Sequence, residues 1–420
     1  MLINLILQDW KSIEGAQLDI DTLTVLIGSN ASGKSNVLDA LTFLQRISSG
    51  LLLNSALQGD ATVSQMRGGL EWVARKPGTT FVVSVTCALD ETTEFLYRLE
   101  CETASGQCEV LSEQLQRRKY RISSKGKRQK NPSQISLFQT DQVEFADSPT
   151  VTARLYNGKR GTPRQLSRAS CVLFQLQGQK ITSEIEEGIL EVLKTLQNIF
   201  ILDPIPSHMR SYSPFAERLL PDASNIAGVL AALPEIPQRE IEATLTKYAA
   251  KLPERDIIKV FAEPIGRFKS DAMLYCEEGF ADESTLLDAR GMSDGTLRFL
   301  AILTALLTRP SKSLLVVEEI DNGLHPSRSS LLLSMLKDVG SLRGIDVMVT
   351  THNPALLDAM GTEMVPFITV AHRKPGSGAT ELTLLEDIND LPRLLAQGTV
   401  GKLSSKGILE QALIKQESER

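Results

Sequence analysis

Apolar residues fall along this chain in three recurring patterns, and each predicts a different kind of element. Short unbroken runs come first: LTVLI before Gly28, IFIL at Ile199 to Leu202, Leu314 to Val317, and VMV within DVMVTTHNP. Runs of this length, closed abruptly by glycine or acid, suit strands buried on both faces of a parallel sheet. Strict alternation marks a second class. From Thr79 to Glu109 the segments FVVSVTCAL, FLYRLECE and GQCEV alternate and are punctuated by polar turns, which predicts an antiparallel β arm.

The third pattern has helical spacing. Val37, Leu38, Leu41 and Leu44 recur this way behind Ser35, and Leu297, Leu300, Leu303 and Leu307 do so behind Ser293. A further helix is expected from Ser183 to Asn198. After a proline-rich break, DPIPSHMRSYSP, the segments IAGVLAAL, REIEATLTKYAAKL and DIIKVFAEPI from Asn225 to Phe268 read as short helices cut by prolines. No long heptad run and no internal repeat is found.

Length and composition add bounds. A chain of 420 residues exceeds what one core serves, so two or more lobes are expected. Acids outnumber bases, 51 to 45, so nucleic-acid contact would need a local patch. One candidate is RRKYRISSKGKRQK, Arg117 to Lys130, whose serines and glycine predict an exposed loop or hairpin tip. It suits nonspecific phosphate binding, a solvated tip or a docking surface for an acidic partner equally well. The five cysteines are odd in number, scattered and free of any C-x-x-C, which speaks against a disulfide framework or a zinc site and for a reducing cytoplasm. MLINLILQDWKSIEG lacks a basic leader, and no apolar run reaches the roughly 18 residues of a membrane span. A soluble, cytoplasmic protein without membrane contact is expected.

Four ordered signals carry chemistry. GSNASGKS, Gly28 to Ser35, matches G-x-x-x-x-G-K-[ST] between a buried strand and a helix. The backbone N–H groups of Asn30, Ala31, Ser32, Gly33, Lys34, Ser35 and Asn36 would cradle phosphates at a helix start. Lys34 adds charge, and Ser35 offers a hydroxyl to Mg²⁺. In SLLVVEEIDNGLHP the run Leu314 to Val317 ends abruptly in Glu318 and Glu319, as any buried strand can, and with the phosphate loop present it reads as the second half of a nucleotide site. Glu318 would reach the metal and Glu319 would orient the attacking water. The third signal, Ser293, Asp294 and Gly295 before a leucine-rich helix, is equally well read as an ordinary helix cap. The fourth is His352, at the carboxyl end of a strand, where open α/β sheets place ligands.

Together these motifs resemble an ABC-type ATPase of the RecF and structural-maintenance-of-chromosomes class, more particularly the compact bacterial ATPases related to the ATPase domain of OLD-family proteins. The similarity covers roughly the first fifty residues and Thr285 to Pro354. It implies a P-loop α/β head, a mixed central sheet flanked by helices, with an antiparallel β arm and an inserted helical subdomain. The expected division is lobe I with phosphate loop and β arm over 1–110, a basic β/loop insertion over 111–182, the rest of lobe I and a helical insertion over 183–270, lobe II over 271–375, and a tail over 376–420.

The resemblance also implies ATP and Mg²⁺ as cofactors and a homodimer, or larger homo-oligomer, with ATP sandwiched between heads. In it, Ser293, Asp294 and Gly295 form the signature that meets the partner's γ-phosphate, Glu319 is the catalytic base, His352 the switch histidine, and Asn322 to His325 the coupling loop. Three departures stand out: Glu318 in place of Asp, Asp294 in place of glycine, and Asp203 to Ser207 where a Q-loop glutamine is usual. The tail has no D-x-D pair of the Toprim type, so a separate nuclease or toxin is expected to supply effector chemistry. The expected role is a DNA-associated ATPase switch in anti-phage defence. RecF-like repair, or less favoured the nucleotide-binding subunit of a membrane transporter, are the alternatives.

Overall fold

A computed structural model describes residues 1–123, 127–143, 148–156, 161–252, 257–280, 283–323 and 325–418. Contacts divide the chain into two interleaved units. The first holds Met1–Asp21, Gly28–Ile199 and Thr369–Thr383, and the second holds Thr22–Ile27, Phe200–Ile368 and Leu384–Arg420.

The first unit is built on an antiparallel meander. Its strands lie in the order Ile13–Asp19, Leu2–Trp10, Thr80–Ala88, Thr93–Ala104, Gln107–Lys119, Ser133–Thr140, Thr150–Tyr156 and Gly161–Ser167. The alternation visible in the sequence is the cause: Phe95, Tyr97, Leu99 and Cys101 all point inward, where the helix Ser183–Gln197 packs across four of the strands. The β arm therefore runs well past Glu109. Ser133 pairs with Lys119, so Arg117, Arg118 and Lys119 end a strand and the rest of the basic segment lies in the hairpin connection, of which residues 124–126, Lys125 among them, lie outside the described residues.

A buried acid closes one end of that core. Glu113 accepts hydrogen bonds from the Tyr97 hydroxyl and from the backbone amides of Val172 and Leu173. Burial outweighs these donors and pushes its carboxyl from the ordinary 4.5 up to about 7. The folded chain thus holds this proton more tightly than the unfolded one. Stability from this group is intact below about pH 4.5 and declines as pH rises to about 7, by about 3 kcal/mol in all. Glu113→Gln should flatten that part of the stability-versus-pH curve; equal slopes in denaturant titrations of both proteins would contradict it.

The second unit has a parallel centre. Leu314–Val317, Asp346–Thr350 and Leu23–Ile27 pair in parallel and are buried throughout, with Ile199–Leu202 flanking the first. The helices Asp294–Thr308 and Ser329–Arg343 pack on one another and on these strands. A smaller sheet joins Ser213–Pro214, Asp271–Phe280, Ile257–Ile265 and Glu283–Asp288, covered by the helices Ile226–Ala231 and Glu235–Ala249. Here one expectation fails: of DIIKVFAEPI, the described part Ile257–Ile265 is a strand, not a helix, and Asp256 lies outside the described residues. Val260 and Ala262 alternate inward while Lys259 and Glu263 face out. Pro264 is tolerated because among the described residues this strand pairs only with Asp271–Phe280, at the sheet edge.

All five cysteines are buried and free. Among the described residues no helix is long and apolar enough to cross a membrane.

Candidate functional site

The phosphate loop belongs to the first unit and begins one residue after the strand Leu23–Ile27. Its two glycines are required by space and by backbone. Gly28 has φ +146°, and a Cβ there would lie 2.2 Å from the Ala371 carbonyl; Gly33 has φ +108°, and its Cβ would meet Thr380 Oγ1 at 2.2 Å. That threonine locks the loop, donating to the Ser32 carbonyl at 2.8 Å, and Arg373 Nε donates to the Ala31 carbonyl at 2.9 Å. Asn30 and Ala31 lie exposed on the loop, and Ala31 takes a left-handed φ of 63°.

Lys34 Nζ donates to the Gly28 and Ser29 carbonyls at 2.7 and 3.0 Å. It stands at the mouth of the loop, where a phosphate would replace these partners. The helix Lys34–Ser48 has no side-chain cap and no acid in its first turn, so its N-terminal donors and partial positive charge are left for an anion. Asn36 fastens the helix start from both sides, donating through Nδ2 to Ser12 Oγ and accepting at its carbonyl from Trp10 Nε1. Lys11 and Arg67 both bind the Asp39 carboxylate one turn on. Burial lowers the Lys11 ammonium from its ordinary value more than Asp39 raises it. Beside the loop lies an open cavity of about 480 Å³ lined by Lys11, Arg67, Trp72, Arg75 and Arg373 among others, in which the Trp72 ring is half exposed.

The acidic residues belong to the second unit. Where the buried strand Leu314–Val317 ends, Glu318 is half-buried and Glu319 exposed. Glu319 takes a φ of 46°, a left-handed conformation that a side chain other than glycine keeps only under constraint. The constraint is Thr350: its Oγ1 accepts from the Glu319 amide at 2.8 Å and its carbonyl from the Ile320 amide at 3.1 Å. Asp321 accepts from the Thr351 hydroxyl, which in turn accepts from the Asn353 amide. His352, between them, is exposed at the carboxyl end of Asp346–Thr350. Of Asn322 to His325, residue 324 lies outside the described residues.

Ser293 caps the helix Asp294–Thr308, accepting from the Thr296 amide at 3.1 Å. The cap geometry is thus realised. Gly295 is confined, since a Cβ would lie 2.5 Å from Arg328 Nη1 and 2.8 Å from the Gly323 carbonyl. The Asp294 carboxylate turns outward and pairs with Arg210.

These motifs coincide with the match to a family described as "AAA domain, putative AbiEii toxin, Type IV TA system", which takes in residues 23–84 and 180–358, more than half of the chain. The chain belongs to this family. The matched part holds the phosphate loop, the Ser293 turn, both glutamates and His352, and it passes over most of the β arm. Membership of the AAA domain family makes the chain a P-loop ATPase by class. No curated protein matches it. Among solved structures, an Smc head bound to the C-terminal winged-helix domain of ScpA is 16% identical, with TM-score 0.47, covering 91% of this chain and 97% of that one. The SMC head domain from Thermotoga maritima is 12% identical, with TM-score 0.43, covering 91% and 98%. An Smc head from Pyrococcus furiosus with an extended coiled coil, bound to the C-terminal domain of ScpA, is 14% identical, with TM-score 0.47, covering 94% and 98%.

The motifs do not reveal Thr380, Arg210 and Trp72, and Thr350, although it lies in DVMVTTHNP, carries no signal there of its hold on Glu319. Each acts on a motif residue or on the space beside one from a distant stretch of sequence, and no local spacing encodes that. The basic hairpin is also less free than its composition implies. Arg117 pairs with Glu184, while Arg128 pairs with Glu94 and covers the Tyr120 ring at 3.3 Å.

Proposed function

We propose that this AAA-family chain is a RecF- and SMC-type ATPase that hydrolyses ATP and closes as a homodimer around it. The observation that carries this reading is the phosphate loop, with two sterically compulsory glycines, Lys34 at its mouth and an uncapped helix start behind it. Asn30 to Asn36 hold the phosphates, and the half-exposed Trp72 serves as a platform for the base. Ser35 and Glu318 are oxygen donors of the type a hard divalent ion takes and would hold Mg²⁺, which neutralises phosphate charge when bound. Glu319 is the catalytic base that polarises the attacking water, and His352 approaches the γ-phosphate. Ser293 and Gly295 meet the partner protomer's nucleotide, so only an intact γ-phosphate joins the heads.

The wider role we propose is anti-phage defence with a separate nuclease or toxin as effector, and a relationship to OLD-type ATPases, a reading that follows the motif resemblance and not the family's description. DNA contact falls to the basic hairpin, where Lys119, Arg121, Lys127 and Lys130 are exposed. RecF-like repair is the second reading, and it uses the same DNA contact.

Ser293→Asp tests the sandwich. Aspartate caps a helix as well as serine does, so folding is retained, while its carboxylate opposes a partner's γ-phosphate. Turnover should fall by about 10- to 100-fold, about 1.4 to 2.7 kcal/mol, and the ATP-dependent increase in mass seen by light scattering should vanish. Unchanged turnover and unchanged mass would overturn the proposal.

A further inference from the structure

We infer that Arg210 is the positioning residue of the Ser293 turn, and that the segment Leu202–Arg210 links this turn to the acidic strand end; the inference rests on the ATPase reading above. Arg210 is half-buried, and its guanidinium gathers four acceptors from one stretch of chain. Nη1 donates to the carbonyls of Ala289, Arg290 and Met292 at 3.1, 2.8 and 2.8 Å, and Nη2 to Asp294 Oδ1 at 2.5 Å. Three converging carbonyls and a carboxylate require a planar, permanently charged fork. They fix the turn immediately before the helix Asp294–Thr308.

The other end of the segment is tied as well. Asp203 directly follows Leu202, whose carbonyl accepts from the Glu318 amide at 3.3 Å, and its carboxylate stands 4.0 Å from Arg298 on the same helix. The nine residues from Leu202 to Arg210 therefore touch both Glu318, where the acidic strand ends, and the turn that bears Ser293.

Asp294 gives Arg210 a second task. A carboxylate in the first turn of a helix is drawn toward the unpaired amides and positive end of the dipole. Left to itself, Asp294 would compete there with any phosphate. Arg210 holds it outward. Loss of Arg210 thus loosens the turn and also releases a competing anion from within the protein.

The test is a mutant cycle on the full chain. R210A is expected to lower kcat by about 10-fold or more, with KM for ATP changed less than about threefold because the phosphate loop is untouched. R210A combined with D294N should recover a large part of that loss relative to D294N alone, since the competing carboxylate is gone. A purely structural role predicts no recovery. R210Q, which keeps donors for the carbonyls but no charge for Asp294, replaces R210A if that variant does not fold and should show the same recovery. In the protein without nucleotide, R210A should speed amide hydrogen exchange across Ala289–Thr296 by about tenfold while global unfolding is unchanged. If the natural chain neither hydrolyses ATP nor gains mass with it, the ATPase reading fails, and the exchange measurement still decides the role of Arg210. Unaltered exchange in R210A, or an active chain whose kcat is unaltered or unrecovered by D294N, overturns the inference.

Discussion

Glu319→Gln is expected to lower steady-state ATP hydrolysis at least about 100-fold, the range over which a positioned general base acts, while ATP binding persists. Glutamine has the same shape and keeps the backbone amide that Thr350 Oγ1 accepts at 2.8 Å, so the left-handed backbone at this position, φ 46°, is retained. Only the proton-accepting charge is removed. ATP should then accumulate unhydrolysed between heads, and the ATP-dependent dimer should outlast that of the natural chain. The comparison needs phosphate release and nucleotide affinity for both proteins. Equal release rates would remove Glu319 from its assigned role, and a parallel loss of affinity would mean that the substitution disturbed the loop instead.

Trp10→Ala should destabilise the first unit by about 3 to 5 kcal/mol, the usual cost of deleting a fully buried large aromatic. Trp10 has no exposed surface. Its ring packs on Phe43 and Phe81 at centroid distances of 5.5 and 5.2 Å, and its Nε1 donates to the Asn36 carbonyl at 2.8 Å. The indole therefore braces the helix that begins under the phosphate loop. Trp10→Phe keeps most of the packing and drops the hydrogen bond, so it should lose about 1 to 3 kcal/mol. Denaturant unfolding of the three proteins separates these contributions. A loss below about 1 kcal/mol for the alanine variant would mean that the site collapses without penalty.

How much of this was legible in the sequence depends on the range over which each feature is encoded. The buried strands at Leu23, Leu314 and Asp346 and the helices behind Lys34 and Ser293 have local signatures, a short apolar run or a repeat of three to four residues, and the structure places them where those signatures lie. DIIKVFAEPI misled because Ile257, Phe261 and Ile265 also fit a helical repeat. Burial against the overlying helices, which selects Val260 and Ala262, is a tertiary fact. The motif residues were equally local, but their restraints were not. Thr380 reaches the phosphate loop from more than three hundred residues away, and Arg210 reaches the Ser293 turn from 84 away. Asp294 stands out in the sequence because its partner, Arg210, lies in a proline-rich segment whose spacing gives no sign of that pairing.

The five sulfhydryls lie in the interior, at positions 87, 101, 108, 171 and 276. A maleimide dye offered to the native protein therefore meets almost no reactive sulfur. One cysteine introduced at a solvent-facing position would be the sole attachment point, with no need to strip the natural ones first. Fluorescence energy transfer between two singly tagged copies could then follow the approach and separation of protomers through a turnover in real time.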